Sequence, residues 1–150
     1  MAYKTILVAY DKSEQANRAL VAAREFVEVG LADKIVALTA FDPREIGEST
    51  FAVTARMAGF EVEDTHPRPD EELFAEVKDA VDAALGDFAS EVEIVVQHGV
   101  PQGLVLKYAH DHGCDLIVMG SRGLGAIQGL LGSVSQAVLQ HADIPVLIIK

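Results

Sequence analysis

The residues best suited to chemistry form a glycine-rich segment that runs from Gly120 to Ser135. Five glycines fall within thirteen residues there, between a strand-like run and a helix-like run. Glycines let backbone amides approach and enclose a ligand. Gly132 and Ser133 stand at the start of the predicted last helix, and Ser133 with Gln136 matches a capping box. Free amides and the hydroxyls of Ser133 and Ser135 favour an anion at this helix start, and phosphate is the obvious one.

This segment matches neither of the two common nucleotide fingerprints. A P-loop needs a lysine, and no lysine lies between Lys107 and Lys150. The first three glycines of the segment have the spacing G-x-x-G-x-G, which is the wrong order for a dinucleotide-binding turn. Arg122 is the one fixed positive charge near these glycines, and two positions are open to its side chain, facing a phosphate or lying in solvent.

No set of residues has the spacing of a catalytic site. His98 follows a strand-like run, but no nucleophile or carboxylate is spaced along the chain to work with it. Phosphoryl transfer also requires a cation clamp, whereas this segment offers one arginine and backbone amides. The sequence therefore indicates binding and not turnover, with slow hydrolysis or self-phosphorylation of Ser133 or Ser135 left open.

The elements that must position these residues alternate between strand and helix patterns. Buried strands are predicted at residues 5–10, 35–41, 91–96, 116–119 and 144–149, and helices at residues 13–29, 69–85, 101–113 and 134–141. This alternation predicts one α/β domain over residues 1–150, with a parallel sheet and helices on both faces. Residues 42–66 are too long for an idle connection, and they predict either a short helix near 51–57 or a flap over a cleft.

Ligands of such sheets bind beyond the carboxyl ends of the strands. The residues that directly follow the predicted strands are therefore the candidates. They are Tyr10 and Asp11, Phe41 and Asp42, residues 97–99, and Gly120 onward. Ser13 is predicted to cap the first helix, and Asp11 has a second interpretation as its partner in that cap.

The composition excludes several classes of partner. The chain has 150 residues and a net charge of −11, which disfavours nucleic acid and anionic membranes. Residues 61–93 hold 12 acids and 2 bases, whereas residues 94–150 hold 3 of each, so the acidity is local. A single cysteine and apolar runs of fewer than ten residues predict a cytoplasmic protein with no signal peptide or membrane span.

Three segments carry a resemblance to a known family. Residues 6–13 (ILVAYDKS), residues 115–123 (DLIVMGSRG) followed by Gly132 and Ser133, and residues 144–149 (IPVLII) resemble the universal stress protein (UspA) family. The resemblance spans essentially the whole chain. It implies a Rossmann-like sheet of the adenine nucleotide alpha hydrolase type, with strand order 3-2-1-4-5.

The resemblance also implies an ATP site, with Mg²⁺ accompanying the nucleotide. It assigns the nucleoside end to Asp11 and Ala40, the pocket wall to Met119, Gly120 and Gly123, and the phosphate end to Gly132, Ser133, Val134 and Ser135. With Ala9 and Tyr10 at the end of the first strand, and Arg122 as the nearby cation, the predicted site has twelve residues. One feature departs from the family pattern. Eight residues separate Gly123 from Gly132, which is one fewer than the pattern has.

The sequence therefore predicts an ATP-binding regulator of the stress response that forms a homodimer through its last strand. An apolar last strand at a sheet edge supports that dimer, because soluble proteins avoid exposing such edges. The first alternative is a dimeric interaction module of the same fold that has lost nucleotide binding through the shortened loop. The second is an enzyme of a related fold, which would need a catalytic partner. No protein partner is indicated.

Overall fold

The computed structural model of the chain describes residues 2–42, 58–60, 69–122 and 131–150. Its strands are β1 (Tyr3–Ala9), β2 (Ala32–Phe41), β3 (Val92–His98), β4 (Leu116–Gly120) and β5 (Val146–Ile149). They form one sheet of order β3-β2-β1-β4-β5 in which every neighbouring pair is parallel. The predicted fold class and strand order are confirmed.

Four helices connect these strands. They are α1 (Glu14–Glu28), α2 (Asp70–Leu85), α3 (Pro101–Asp111) and α4 (Ser133–His141), and a 3₁₀ helix at Gly86–Glu91 follows α2. The Ser13 hydroxyl accepts a hydrogen bond from the Ala16 amide at 3.1 Å, which confirms the predicted cap of α1. The short helix considered near residues 51–57 lies outside the described residues.

Each strand differs from its predicted range by one to three residues at one end or both, and two of these differences have identifiable reasons. β3 continues to His98 because its parallel partner β2 continues to Phe41 and supplies pairing up to that position. β5 begins at Val146 and not at residue 144, because Pro145 has no amide to donate to a neighbouring strand. The first difference concerns the carboxyl end of β3 and the second the amino end of β5. At such ends, a strand extends only as far as its backbone can pair with a neighbouring strand.

The sheet has an apolar core on each face. Helices α1 and α2 cover one face, where Ile6, Val8 and Ile35 are buried. The opposite face is covered by α3 and α4, above Leu7 and Leu38. Successive residues of each strand therefore alternate between an α1/α2 face and an α3/α4 face. The buried residues of α2 recur every four positions, at Leu73, Val77, Val81 and Leu85, which gives the helix one apolar side.

Asp115 joins the amino ends of β1 and β4. Its two carboxylate oxygens accept hydrogen bonds from the backbone amides of Lys4, at 2.7 Å, and Thr5, at 2.9 Å. In return the Asp115 amide donates to the Thr5 carbonyl at 3.1 Å.

Within the described part of the chain, no helix is long and apolar enough to cross a membrane.

Replacing Asp115 with alanine should lower the free energy of unfolding by about 1–2 kcal/mol. That loss is below the full value of two charged hydrogen bonds because water reaches part of this site. Urea titration followed by circular dichroism measures it, with the exposed Asp33→Ala as the matched control. An equal effect of the two substitutions would show that the Asp115 carboxylate does not join the strands.

Candidate functional site

The carboxyl edge of the sheet presents small side chains on its α3/α4 face. Ala9 ends β1 and is half-buried against that core, beside Met119 of β4, which is buried. Ala40 follows Leu38 by two residues on β2, so it lies on the same face, and it too is half-buried. Ala9 and Ala40 thus form a shelf, called the alanine shelf below, next to the buried thioether of Met119.

Tyr10 and Asp11 follow β1 and make different contacts. The Tyr10 ring is 2% exposed in the α1/α2 core, and its hydroxyl donates to the Asn17 side-chain oxygen at 2.6 Å. Burial, together with the Asp11 charge, raises the pKa of Tyr10 to about 12, so the phenol stays neutral. The Tyr10 side chain therefore points away from the alanine shelf. One Asp11 carboxylate oxygen accepts from the Ser13 amide at 3.0 Å.

Gly120 ends β4 where helix α1 comes closest to the sheet. A Cβ atom placed there would lie 2.6 Å from the Cβ of Gln15 and 3.2 Å from the Arg122 carbonyl oxygen. No side chain fits in that space, so position 120 requires glycine. The resemblance assigned Gly120 to the pocket wall, and the structure shows that its lack of a side chain also lets α1 pack against β4.

Hydrogen bonds tie the two ends of the glycine-rich segment to the sheet. The Gly132 amide donates to the Ser121 carbonyl at 2.7 Å, and the Ser121 amide donates to the Ile149 carbonyl at 2.8 Å. Ser135 is 3% exposed, and its hydroxyl donates to the Gly120 carbonyl at 2.7 Å. The Ser135 hydroxyl proton is thus engaged with the backbone. Gly123 lies outside the described residues.

Among the described residues, no side chain caps the start of helix α4. Its N-cap is Gly132, no side chain in the described ranges accepts a hydrogen bond from its first amides, and Ser133 is the first helical residue. The predicted capping box of Ser133 and Gln136 is therefore wrong, because Ser133 lies one position too late to cap. The amides of the first helical turn have no intrahelical acceptor and carry the positive end of the helix dipole. Ser133 is exposed beside them, and Val134 is half-buried.

Arg122 follows the end of β4, at the same edge of the sheet as the alanine shelf and the start of α4. It is half-buried, and within the described ranges no acidic side chain pairs with it. Its charge is therefore available near the start of α4. Together with the exposed Ser133, it provides positive potential and donors at the β4 end of the edge, while the alanine shelf occupies the β1 and β2 end.

The α1/α2 side of the same edge holds polar pairs that sequence reasoning missed. His98 Nε2 lies 2.7 Å from a carboxylate oxygen of Asp70, so His98 does have a carboxylate partner. Lys12, with a φ of 66°, pairs with Glu76 at 2.6 Å. Both acids come from α2, far from their partners along the chain. The sequence shows that α2 is rich in acidic residues. Only the packing of α2 on the sheet shows which basic or histidine side chains those acids contact.

Known proteins share the sequence pattern and the fold of this chain. The model of the universal stress protein family matches residues 2–150. The universal stress protein MJ0577 of Methanocaldococcus jannaschii is 32% identical over 155 residues, covering 99% of this chain and 95% of that protein. A universal stress protein of Thermus aquaticus is 36% identical, with 99% of each chain covered.

Solved structures show the same likeness. The structure of MJ0577 superposes with a TM-score of 0.74 at 28% identity, covering 100% of this chain and 97% of that one. A universal stress protein crystallised in complex with cAMP superposes with a TM-score of 0.64 at 26% identity, covering 100% and 98% of the two chains.

Replacing Gly120 with alanine should lower the free energy of unfolding by about 1–3 kcal/mol, because the added methyl group overlaps the backbone and Cβ of α1. Gly103→Ala is the matched control, since a Cβ there meets nothing within 4 Å. That control should raise stability by about 0.5–1 kcal/mol as a helical glycine becomes alanine. Thermal unfolding measures both, and a stable Gly120→Ala protein would contradict the close approach of α1.

Proposed function

Because the chain belongs to the universal stress protein family, we propose that it is an ATP-binding regulator of the stress response. The observation that carries the proposal is the uncapped start of α4 at the carboxyl edge of β4. Uncapped amides at the positive end of a helix favour an anionic group, and a phosphate satisfies several of them together. The exposed hydroxyl of Ser133 adds a donor at the same place.

The alanine shelf supports the nucleoside part of the proposal. Ala9 and Ala40 leave room for a flat ring above the ends of β1 and β2, and Met119 supplies an apolar wall beside it. The Asp11 carboxylate lies at the end of β1, where it can accept hydrogen bonds from ribose hydroxyls. The relative solved with cAMP is consistent with an adenine nucleotide as the ligand.

The charge distribution is compatible with a nucleotide despite the net charge of −11. Three acids and three bases make residues 94–150 neutral, and this segment includes β4, the start of α4 and β5. Backbone amides and Arg122 then set the local potential at the start of α4. A polyanion would instead meet the acidic segment of residues 61–93, so nucleic acid is not proposed as a partner.

The proposal assigns binding and not turnover to this site. Within the described residues, no group of three or more histidine, cysteine or acidic side chains could hold a metal. A Mg²⁺ ion that enters with ATP would therefore be held mainly by phosphate oxygens and water. We place the protein in the cytoplasm, where its single cysteine, the buried Cys114, needs no disulfide partner.

We further propose a homodimer formed through β5. Within the described strands, β5 pairs with β4 on one side only, and its four apolar residues are half-buried and not buried. An unpaired apolar edge is a template for another strand. Pairing with β5 of a second copy related by two-fold symmetry would satisfy both edges at once.

ATP with Mg²⁺ should raise the melting temperature of the purified protein, because a ligand that binds only the native state stabilises it by about 2.7 kcal/mol at 100 times Kd. Ser133→Glu should abolish this rise, since its carboxylate repels phosphate, yet keep the fold because an acid suits a helix start. Ser133→Ala is the control and should retain most of the rise. Parallel assays of phosphate release test for turnover.

Two outcomes would contradict the proposal in different ways. An unchanged rise in Ser133→Glu would show that the phosphates do not lie at the start of α4. No rise with millimolar ATP, AMP or cAMP for the unchanged protein would favour the dimeric interaction module that has lost nucleotide binding.

Replacing Ile148 with lysine should convert the dimer into the 16.1 kDa monomer, because a charge on β5 opposes burial of that strand against a second copy. Light scattering measures the mass. Val29→Lys is the matched control, since Val29 is an apolar residue 69% exposed at the end of α1. A dimer that survives Ile148→Lys would place the interface elsewhere.

A further inference from the structure

Gln97 occupies a position at the carboxyl edge that the twelve predicted site residues do not include. It lies near the end of β3 and pairs in register with Ala40 of the alanine shelf. The neighbouring His98 contacts Asp70 of α2, and Val95 packs in the α3/α4 core. Because side chains alternate along a strand, Gln97 lies on the α3/α4 face together with Ala9 and Ala40.

The Gln97 amide is polar and half-buried, and within the described residues it makes no hydrogen bond. A glutamine amide has two donor hydrogens and an acceptor oxygen. Water can reach this amide, so a bound ligand can take the place of that water and use both the donors and the acceptor. His98, the other polar side chain at the end of β3, is engaged with Asp70 on the opposite face. Gln97 is thus the polar side chain of β3 that lies beside the alanine shelf.

The strand order gives the direction of the ligand along this edge. Phosphates at the start of α4 lie beyond β4, and the alanine shelf lies on β1 and β2, so a nucleotide extends across the sheet from β4 towards β3. Adjacent strands are about 4.8 Å apart. The next strand beyond Ala40 is β3, and the side chain that it presents on this face is Gln97.

We propose that Gln97 recognises the edge of the adenine base, an inference that rests on the nucleotide site proposed above. Its amide oxygen accepts a hydrogen bond from the 6-amino group, and its NH₂ group donates to the adjacent ring nitrogen. This two-point contact between a planar amide and adenine is a common specific pairing in nucleic-acid recognition. Gln97 is therefore a specificity-determining residue that selects adenine, while the phosphate groups supply most of the affinity.

Isothermal titration calorimetry of the full chain with ATP, GTP and purine riboside triphosphate tests this inference. Loss of the 6-amino group should weaken binding to the unchanged protein by about 5- to 100-fold. In Gln97→Leu, ATP affinity should fall by a similar factor, and removal of the 6-amino group should then have almost no effect. Gln97→Asn retains the amide one methylene further back and should fall between the two.

Gln140→Leu is the matched control, because Gln140 is exposed on α4 and should keep both affinity and preference. If the unchanged protein binds ATP and Gln97→Leu binds it with the same affinity and the same preference over GTP, the assignment of Gln97 is wrong while the nucleotide site stands. If the unchanged protein binds none of the three nucleotides, the proposed function fails together with the inference.

Discussion

The close approach of helix α1 to Gly120 is the contact on which the candidate site depends. Because Gly120 has no side chain, Gln15 packs directly against the end of β4. The Gly120 carbonyl also accepts a hydrogen bond from the Ser135 hydroxyl. α1 and α4 are thereby both held at one residue, from opposite faces of the sheet. Gly120 therefore fixes where α1 and the first turn of α4 lie relative to the end of β4.

This arrangement divides the carboxyl edge into two sides of different character. On the α1/α2 side, several polar groups are paired with one another, as in Tyr10 with Asn17 and His98 with Asp70. On the α3/α4 side lie two alanines, uncapped amides and the Gln97 amide. Paired groups hold elements in place, whereas donors and acceptors without protein partners are suited to a ligand. Because side chains alternate along β3, the neighbours Gln97 and His98 lie on opposite faces of this edge.

The burial of Tyr10 shows that a residue at this edge can have a side chain that no ligand on the α3/α4 face would contact. Position 10 directly follows β1 and belongs to the twelve predicted site residues. Its ring nevertheless enters the α1/α2 core, where burial keeps the phenol protonated. Ser135 is similar, since its hydroxyl is engaged with the Gly120 carbonyl. Contributions of these two positions to a ligand would come from their backbone atoms.

The sequence by itself determined the strand and helix alternation, the capped start of α1 and the edge at which candidate residues gather. These features depend on local periodicity and on residues close together along the chain, such as Ser13 and Ala16. It did not determine that Gly132, and not Ser133, occupies the N-cap position of α4, because a shift of one residue leaves the local pattern unchanged. Nor did it pair Asp70 with His98 or place Gln97 beside Ala40. Those relations join residues far apart in sequence, so only the packing of α2 on the sheet and the register of β2 with β3 decided them.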